Sequence, residues 1–146
     1  MPFSLDALRR LRKQLDAATP PLELWVVLYT HEFDMPILRE HLDLCDVVTL
    51  WTWRASDLAH LGKNMDRFAE IVGKKRKVLG LYMYDYGTGK PMPVDLMKQQ
   101  CETGLRWLRE KRIEGMIFLA SCIGDLPLEA VEWSRRWIAE VGDEPR

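Results

Sequence analysis

Four short apolar runs punctuate the chain: Leu24 to Tyr29, Val47 to Trp53, Val78 to Tyr84 and Met116 to Ala120. Each is rich in β-branched and aromatic residues and bounded by polar or turn residues, which predicts a strand. Their apolar character is nearly continuous rather than alternating, the pattern of strands covered on both faces in a parallel sheet. The segments between them carry a helical period. Leu58, Leu61, Met65, Phe68, Ala69 and Val72 form one stripe, with Ser56 as N-cap and Gly73 just past the end. Val94, Met97, Cys101, Leu105 and Leu108 form a second, opened by Pro93, where a missing N–H costs nothing. Leu128, Val131, Ile138 and Val141 form a third, and Met35 to Leu44 a shorter helix. Leu5, Leu8, Leu11, Leu15 and Ala18 predict an N-terminal helix that stops before Pro20-Pro21.

The predicted order is one helix followed by four βα units, in an α/β chain whose strands are joined by helical crossovers. No linker or low-complexity stretch divides the 146 residues, so they read as one domain. Residues 1–21 supply the helix and Pro-Pro turn, and residues 22–146 the βα units. Four such units fit either a small doubly wound sheet or half of a (β/α)8 TIM barrel. The doubly wound form expects a glycine-rich turn after its first strand, but Tyr29-Thr30-His31-Glu32-Phe33-Asp34 has no glycine to cradle a nucleotide. Charged and aromatic residues gather instead after each strand: His31, Glu32 and Asp34; Trp53 and Arg54; Asp85 and Tyr86; Ser121 and Cys122. That is where a barrel keeps its functional face, which favours the half barrel.

Charge narrows the partners. Lys plus Arg number 21 against 22 Asp plus Glu, so no positive field exists to hold a phosphate backbone and no nucleic-acid partner is expected. No apolar run is long enough to span a bilayer and no membrane partner is expected; residues 1–20 lack a signal-peptide pattern, so a cytoplasmic location follows if Met1 is the natural start. Cys45, Cys101 and Cys122 are too far apart in sequence for a disulfide framework or a paired-cysteine zinc site. Lys74-Lys75-Arg76-Lys77 reads as a solvated turn that complements a helix C-terminus.

The stretches Leu22 to His31, Val48 to Trp53, Leu79 to Gly87 and Gly115 to Ser121 resemble the C-terminal portion of bacterial glycoside-hydrolase-like TIM-barrel proteins. The resemblance covers nearly the whole chain from Leu5 onward and implies strands five to eight of a barrel. An isolated half would expose its concave apolar face. A homodimer, or association with an N-terminal half barrel, is therefore expected.

Glycoside hydrolysis uses two carboxyl groups flanking the scissile bond, and Glu32 and Asp85 are the best-placed pair as acid/base and nucleophile. Asp34 reads instead as the N-cap of the next helix. Trp51, Trp53, Tyr82, Tyr84 and Tyr86 cluster at or near strand ends, where aromatic faces can stack on sugar rings. His31, Trp51, Trp53, Arg54, Tyr84, Tyr86, Lys90 and Ser121 are the candidate substrate contacts. Trp25, Trp107, Trp133 and Trp137 are read as core, and Gly80 as a site of close approach by a bulky neighbour. Gly87-Thr88-Gly89-Lys90 is not a Walker loop, because Tyr84 and Pro91 stand where glycine and Ser or Thr are required; it reads as a flexible loop over the cleft.

A glycoside-hydrolase-like portion acting on or binding carbohydrate is thus the first expectation, with no cofactor or metal. A non-catalytic carbohydrate-binding or assembly module is the second. A metal-dependent sugar isomerase using His31, Glu32 and Asp85 is the third, although His31 to Met35 fails the zincin pattern. Cys122 with His31 could form a thiol–imidazole pair; a small buried hydrophobe is the simpler role for that cysteine.

Overall fold

The computed structural model describes residues 4–120 and 123–143. Helix α1 (Leu5–Asp16) is opened by Ser4, whose hydroxyl accepts from the Ala7 N–H at 3.2 Å. Then follow β1 (Trp25–Tyr29), α2 (Leu38–Asp43), β2 (Val47–Trp51), α3 (Leu61–Val72) and β3 (Arg76–Tyr82). A two-stranded hairpin, β4 (Tyr84–Asp85) and β5 (Lys90–Pro91), precedes α4 (Val94–Arg109), β6 (Gly115–Leu119) and α5 (Glu129–Val141). The main sheet has the order β1-β2-β3-β6, every pair parallel, with chain neighbours adjacent in space.

The pleat sorts each strand into two faces. Leu28, Leu50, Leu79 and Met116 stand in register on one face. Helix α4 reaches this face closely: a Cβ at Gly104 would lie 2.6 Å from the Met116 methyl and 3.1 Å from Leu79. Leu28, Leu50 and Leu79 join Met65, Phe68, Met97 and Trp107 in the buried core. On the opposite face Val27, Thr49 and Val78 share one row, and Tyr29, Trp51, Gly80 and Ile117 the next.

That second face departs from expectation. Only β2 is buried along its whole length; Trp25 and Val27 on β1 remain 45% and 46% exposed, and all five residues of β6 are half-buried. Trp25 is therefore not a core residue. Its ring instead receives the Arg76 guanidinium at 5.9 Å, and Arg76 also pairs with Glu23 and Glu114. The middle of the face is covered by Trp51, whose indole lies on Gly80 and donates its N–H to the Thr49 hydroxyl at 2.8 Å.

Element boundaries moved where tertiary bonds outweigh local pattern. The third strand begins at Arg76 and ends at Tyr82, and Tyr84 belongs to the hairpin. Ser56 caps nothing: residues 55–60 form a 3-10 turn, and α3 starts at Leu61. Gly73 closes α3 with φ +63, a conformation that favours glycine. Asp34 lies four residues before α2 and forms an ion pair with Arg67 on α3 instead of capping. Lys75, in the basic turn, and Lys77, at the start of β3, donate to the carbonyls of Cys45 and Gly73 at 2.8 and 2.6 Å. Trp107 is buried, while Trp133 and Trp137 stack on each other at 5.9 Å and Trp137 leans on Phe118 of β6.

A Cβ at Gly80 would sit 2.0 Å from the Trp51 ring. Gly80→Ala is expected to lower the unfolding free energy by about 1–3 kcal/mol through overpacking. Urea denaturation checks it, and an unchanged midpoint would show that the ring can move aside.

Candidate functional site

The C-terminal ends of β1 and β2 point the same way because the strands are parallel, so the segments following them share one edge of the sheet. Between them lies a cleft of about 630 Å³ lined by Tyr29, His31, Glu32, Trp53, Arg54 and Asp57. A short 3-10 turn, Thr30–Glu32, lifts His31 and Glu32 off the end of β1. It is held in part by Glu32, whose Oε2 accepts from the Tyr29 N–H at 3.0 Å. Trp53 and Arg54 occupy the extended link between β2 and the 3-10 turn, and Asp57 sits within that turn.

Aromatic rings extend from this cleft along the sheet end. His31 stacks on Tyr29 (5.4 Å, 9°), and Tyr29 meets Trp53 edge-on (5.6 Å, 89°). Trp53 in turn contacts Tyr82 at 6.0 Å and Tyr86 at 5.4 Å, and Tyr84 follows at 5.5 Å from Tyr86. Burial, and then the 3.4 Å contact with the Tyr29 hydroxyl, push the Tyr82 phenol above its ordinary value. It is therefore a neutral hydroxyl at physiological pH. The arrangement offers ring faces and edges beside a carboxylate, an imidazole and a guanidinium. Such a surface can stack apolar ring faces and hydrogen-bond hydroxyls.

The expected residues divide. His31, Glu32, Trp53 and Arg54 are brought together in the cleft, and Tyr84 and Tyr86 continue its aromatic row. Trp51, at 6% exposure and folded over Gly80, is a structural ring rather than a wall of the cleft. Lys90 faces Asp85 across the hairpin and is not part of the lining. Ser121 and Cys122 lie outside the described residues.

Asp85 has a different set of partners from Glu32. Its Oδ1 accepts from the Ala55 N–H at 3.2 Å and the Gly87 N–H at 3.0 Å, and its Oδ2 from the Thr88 hydroxyl at 2.6 Å. Burial pushes this carboxyl up, but the Thr88 hydroxyl and the Ala55 and Gly87 amides outweigh burial and hold it below the ordinary range. The carboxylate thereby ties the hairpin to the link that carries Trp53 and Arg54. Gly87 packs so closely there that a Cβ would meet Arg54 Cγ at 2.3 Å. Residues 86–89 are thus the turn of an ordered hairpin, and Lys90 opens its second strand, with the Tyr84 hydroxyl donating to the Gly89 carbonyl at 2.6 Å.

Sequence reasoning missed Asp57 and Tyr29. Asp57 is the carboxylate that shares the cleft with Glu32; it stands six residues beyond the end of β2, inside the 3-10 turn, where no local pattern marks it. Among the described residues no three His, Cys, Asp or Glu side chains gather to hold a metal ion. The buried Cys45 and Cys101 thiols are both pushed up, Cys101 to about 12, by desolvation, which leaves neither as a ready nucleophile. No helix among the described residues is long and apolar enough to cross a membrane. Comparison with known proteins returns no match to a family model, a curated protein or a solved structure.

Asp85→Ala leaves the buried Ala55 amide and the Gly87 amide of the turn without their acceptor and is expected to cost about 2 kcal/mol at neutral pH. The folded carboxyl titrates below its unfolded value of about 3.9, so its contribution is full above that pH. It fades as the pH falls through the lower folded value. Denaturation of wild type and Asp85→Asn across pH 2–7 should therefore show a gap that narrows on the acid side. A gap independent of pH would mean that the carboxylate charge is not what ties the two segments.

Proposed function

We propose that the chain is a glycoside-hydrolase-like half barrel whose cleft at the strand ends binds carbohydrate. The observation that carries the reading is the aromatic row from His31 through Tyr29 and Trp53 to Tyr86, set beside Glu32, Arg54 and Asp57. Sugar rings present flat C–H faces and a rim of hydroxyls, and this cleft offers both complements within one wall. The sequential order of four parallel strands joined by helices supports the half-barrel part of the reading. So does the contrast between a covered face and one left partly bare.

Binding is favoured over hydrolysis because the Asp85 carboxylate, the intended nucleophile, is consumed by the hairpin turn and the Ala55 amide. The hydrolytic alternative rests on Glu32 with Asp57, the two carboxylates that line one cleft. A metal-dependent isomerase has no ligand cluster among the described residues to support it.

Oligosaccharides should quench the tryptophan fluorescence of the wild-type chain, and Trp53→Ala should raise the apparent Kd at least about tenfold. Aryl glycosides offered in parallel should stay intact. Turnover abolished by Glu32→Gln would move the reading to a hydrolase, and the absence of quenching by any sugar would remove the carbohydrate reading altogether.

A further inference from the structure

Among the described residues the main sheet ends in two edge strands, β1 and β6, and its face opposite the α4-covered one carries an apolar side chain at each edge. Val27 lies on that face at the β1 edge, 46% exposed, and Ile117 lies on it at the β6 edge, half-buried. The chain's accessible surface is 9137 Å². A compact monomer of this mass exposes about 7,750 Å², so the chain as a whole shows roughly 1,400 Å² more than that. A stable protein–protein interface takes about 800 Å² from each partner.

We propose that a second copy of this chain covers the bare face, with β1 of each copy pairing in parallel with β6 of the other. This rests on the half-barrel reading above. A twofold axis along the strands keeps both copies pointing the same way, so the two free edges of one sheet meet the two free edges of the other. The resulting eight-stranded barrel leaves no unpaired strand edge, which is how closed sheets avoid open-ended association. The surface is self-complementary, as a twofold interface requires. The pairing also completes the cleft. Its lining residues come from the ends of β1 and β2 and the segments after them, and β1 is an edge strand, so the end of the partner copy's β6 would form the missing wall.

Light scattering on the purified chain at tens of micromolar (roughly the range for a moderate dimer) should give twice the 17.1 kDa chain mass. Val27→Lys, at one edge, and Ile117→Lys, at the other, should each give the single-chain mass with an unchanged circular dichroism spectrum. Both should bind an oligosaccharide at least about tenfold more weakly by fluorescence. A monomeric wild type overturns the proposal even if both variants unfold, and a dimer untouched by either folded variant overturns it as well. A monomer that still binds sugar would sink the pairing while leaving the carbohydrate reading intact. A dimer sensitive to both substitutions that binds no sugar would do the reverse.

Discussion

The contact between the Trp51 indole and Gly80 is the constraint on which the rest of this structure depends. A parallel sheet has to bury both faces, and here the helices supply cover for one. The centre of the other is covered by the Trp51 indole, its N–H satisfied by Thr49, with the buried Tyr82 ring packed against it at 4.8 Å. Only glycine at position 80 leaves room for the indole. The seal reaches neither edge, which is why Trp25 and Val27 stay open to solvent. It also withdraws Trp51 from the strand ends, so that Trp53, two residues further on, becomes the indole at the cleft.

The second organising element is electrostatic. One carboxylate, Asp85, gathers donors from its own turn, at Gly87 and Thr88, and from Ala55, 30 residues before it in the chain. Besides these bonds the hairpin and the link after β2 meet through the Trp53–Tyr86 ring contact at 5.4 Å and the packing of Gly87 on Arg54. Trp53 and Arg54 precede Ala55, and Tyr86 precedes Gly87, so the bonds that fix the backbone also fix the spacing of the aromatic row. At the N-terminal end of the sheet Asp46 has a comparable part: it accepts from the Leu24 N–H at 2.7 Å and from Arg12 at 2.5 Å, joining α1 to the starts of β1 and β2. Local sequence thus makes the strands, and a few charged side chains decide how the segments beyond them are set.

Much of the fold was legible because it rests on periodicity. The apolar runs locate the four strands of the main sheet within a few residues, and the stripes locate α1, α3, α4 and α5. Gly80 was legible too, since a glycine inside a strand signals close approach. What could not be read were outcomes of long-range bonding. Nothing local distinguishes Trp51 from Trp53, or tells that Asp85 will meet Ala55. Asp34 has the composition of a helix cap, yet its partner, Arg67, comes from α3. Within the site, His31, Glu32, Trp53 and Arg54 were recoverable from their position after a strand. Asp57 was hidden because the segment after β2 coils into a 3-10 turn before α3 begins.

A division of labour among the tryptophans is the central claim: Trp51 and Trp107 hold the fold, and Trp53 meets the ligand. The most direct measurement follows the indole N–H signals by heteronuclear NMR during titration with an oligosaccharide that quenches fluorescence. The Trp53 signal is expected to shift progressively, while those of Trp51, bonded to Thr49, and of the buried Trp107 stay in place. A stationary Trp53 signal, or a shift confined to Trp51, would contradict the account.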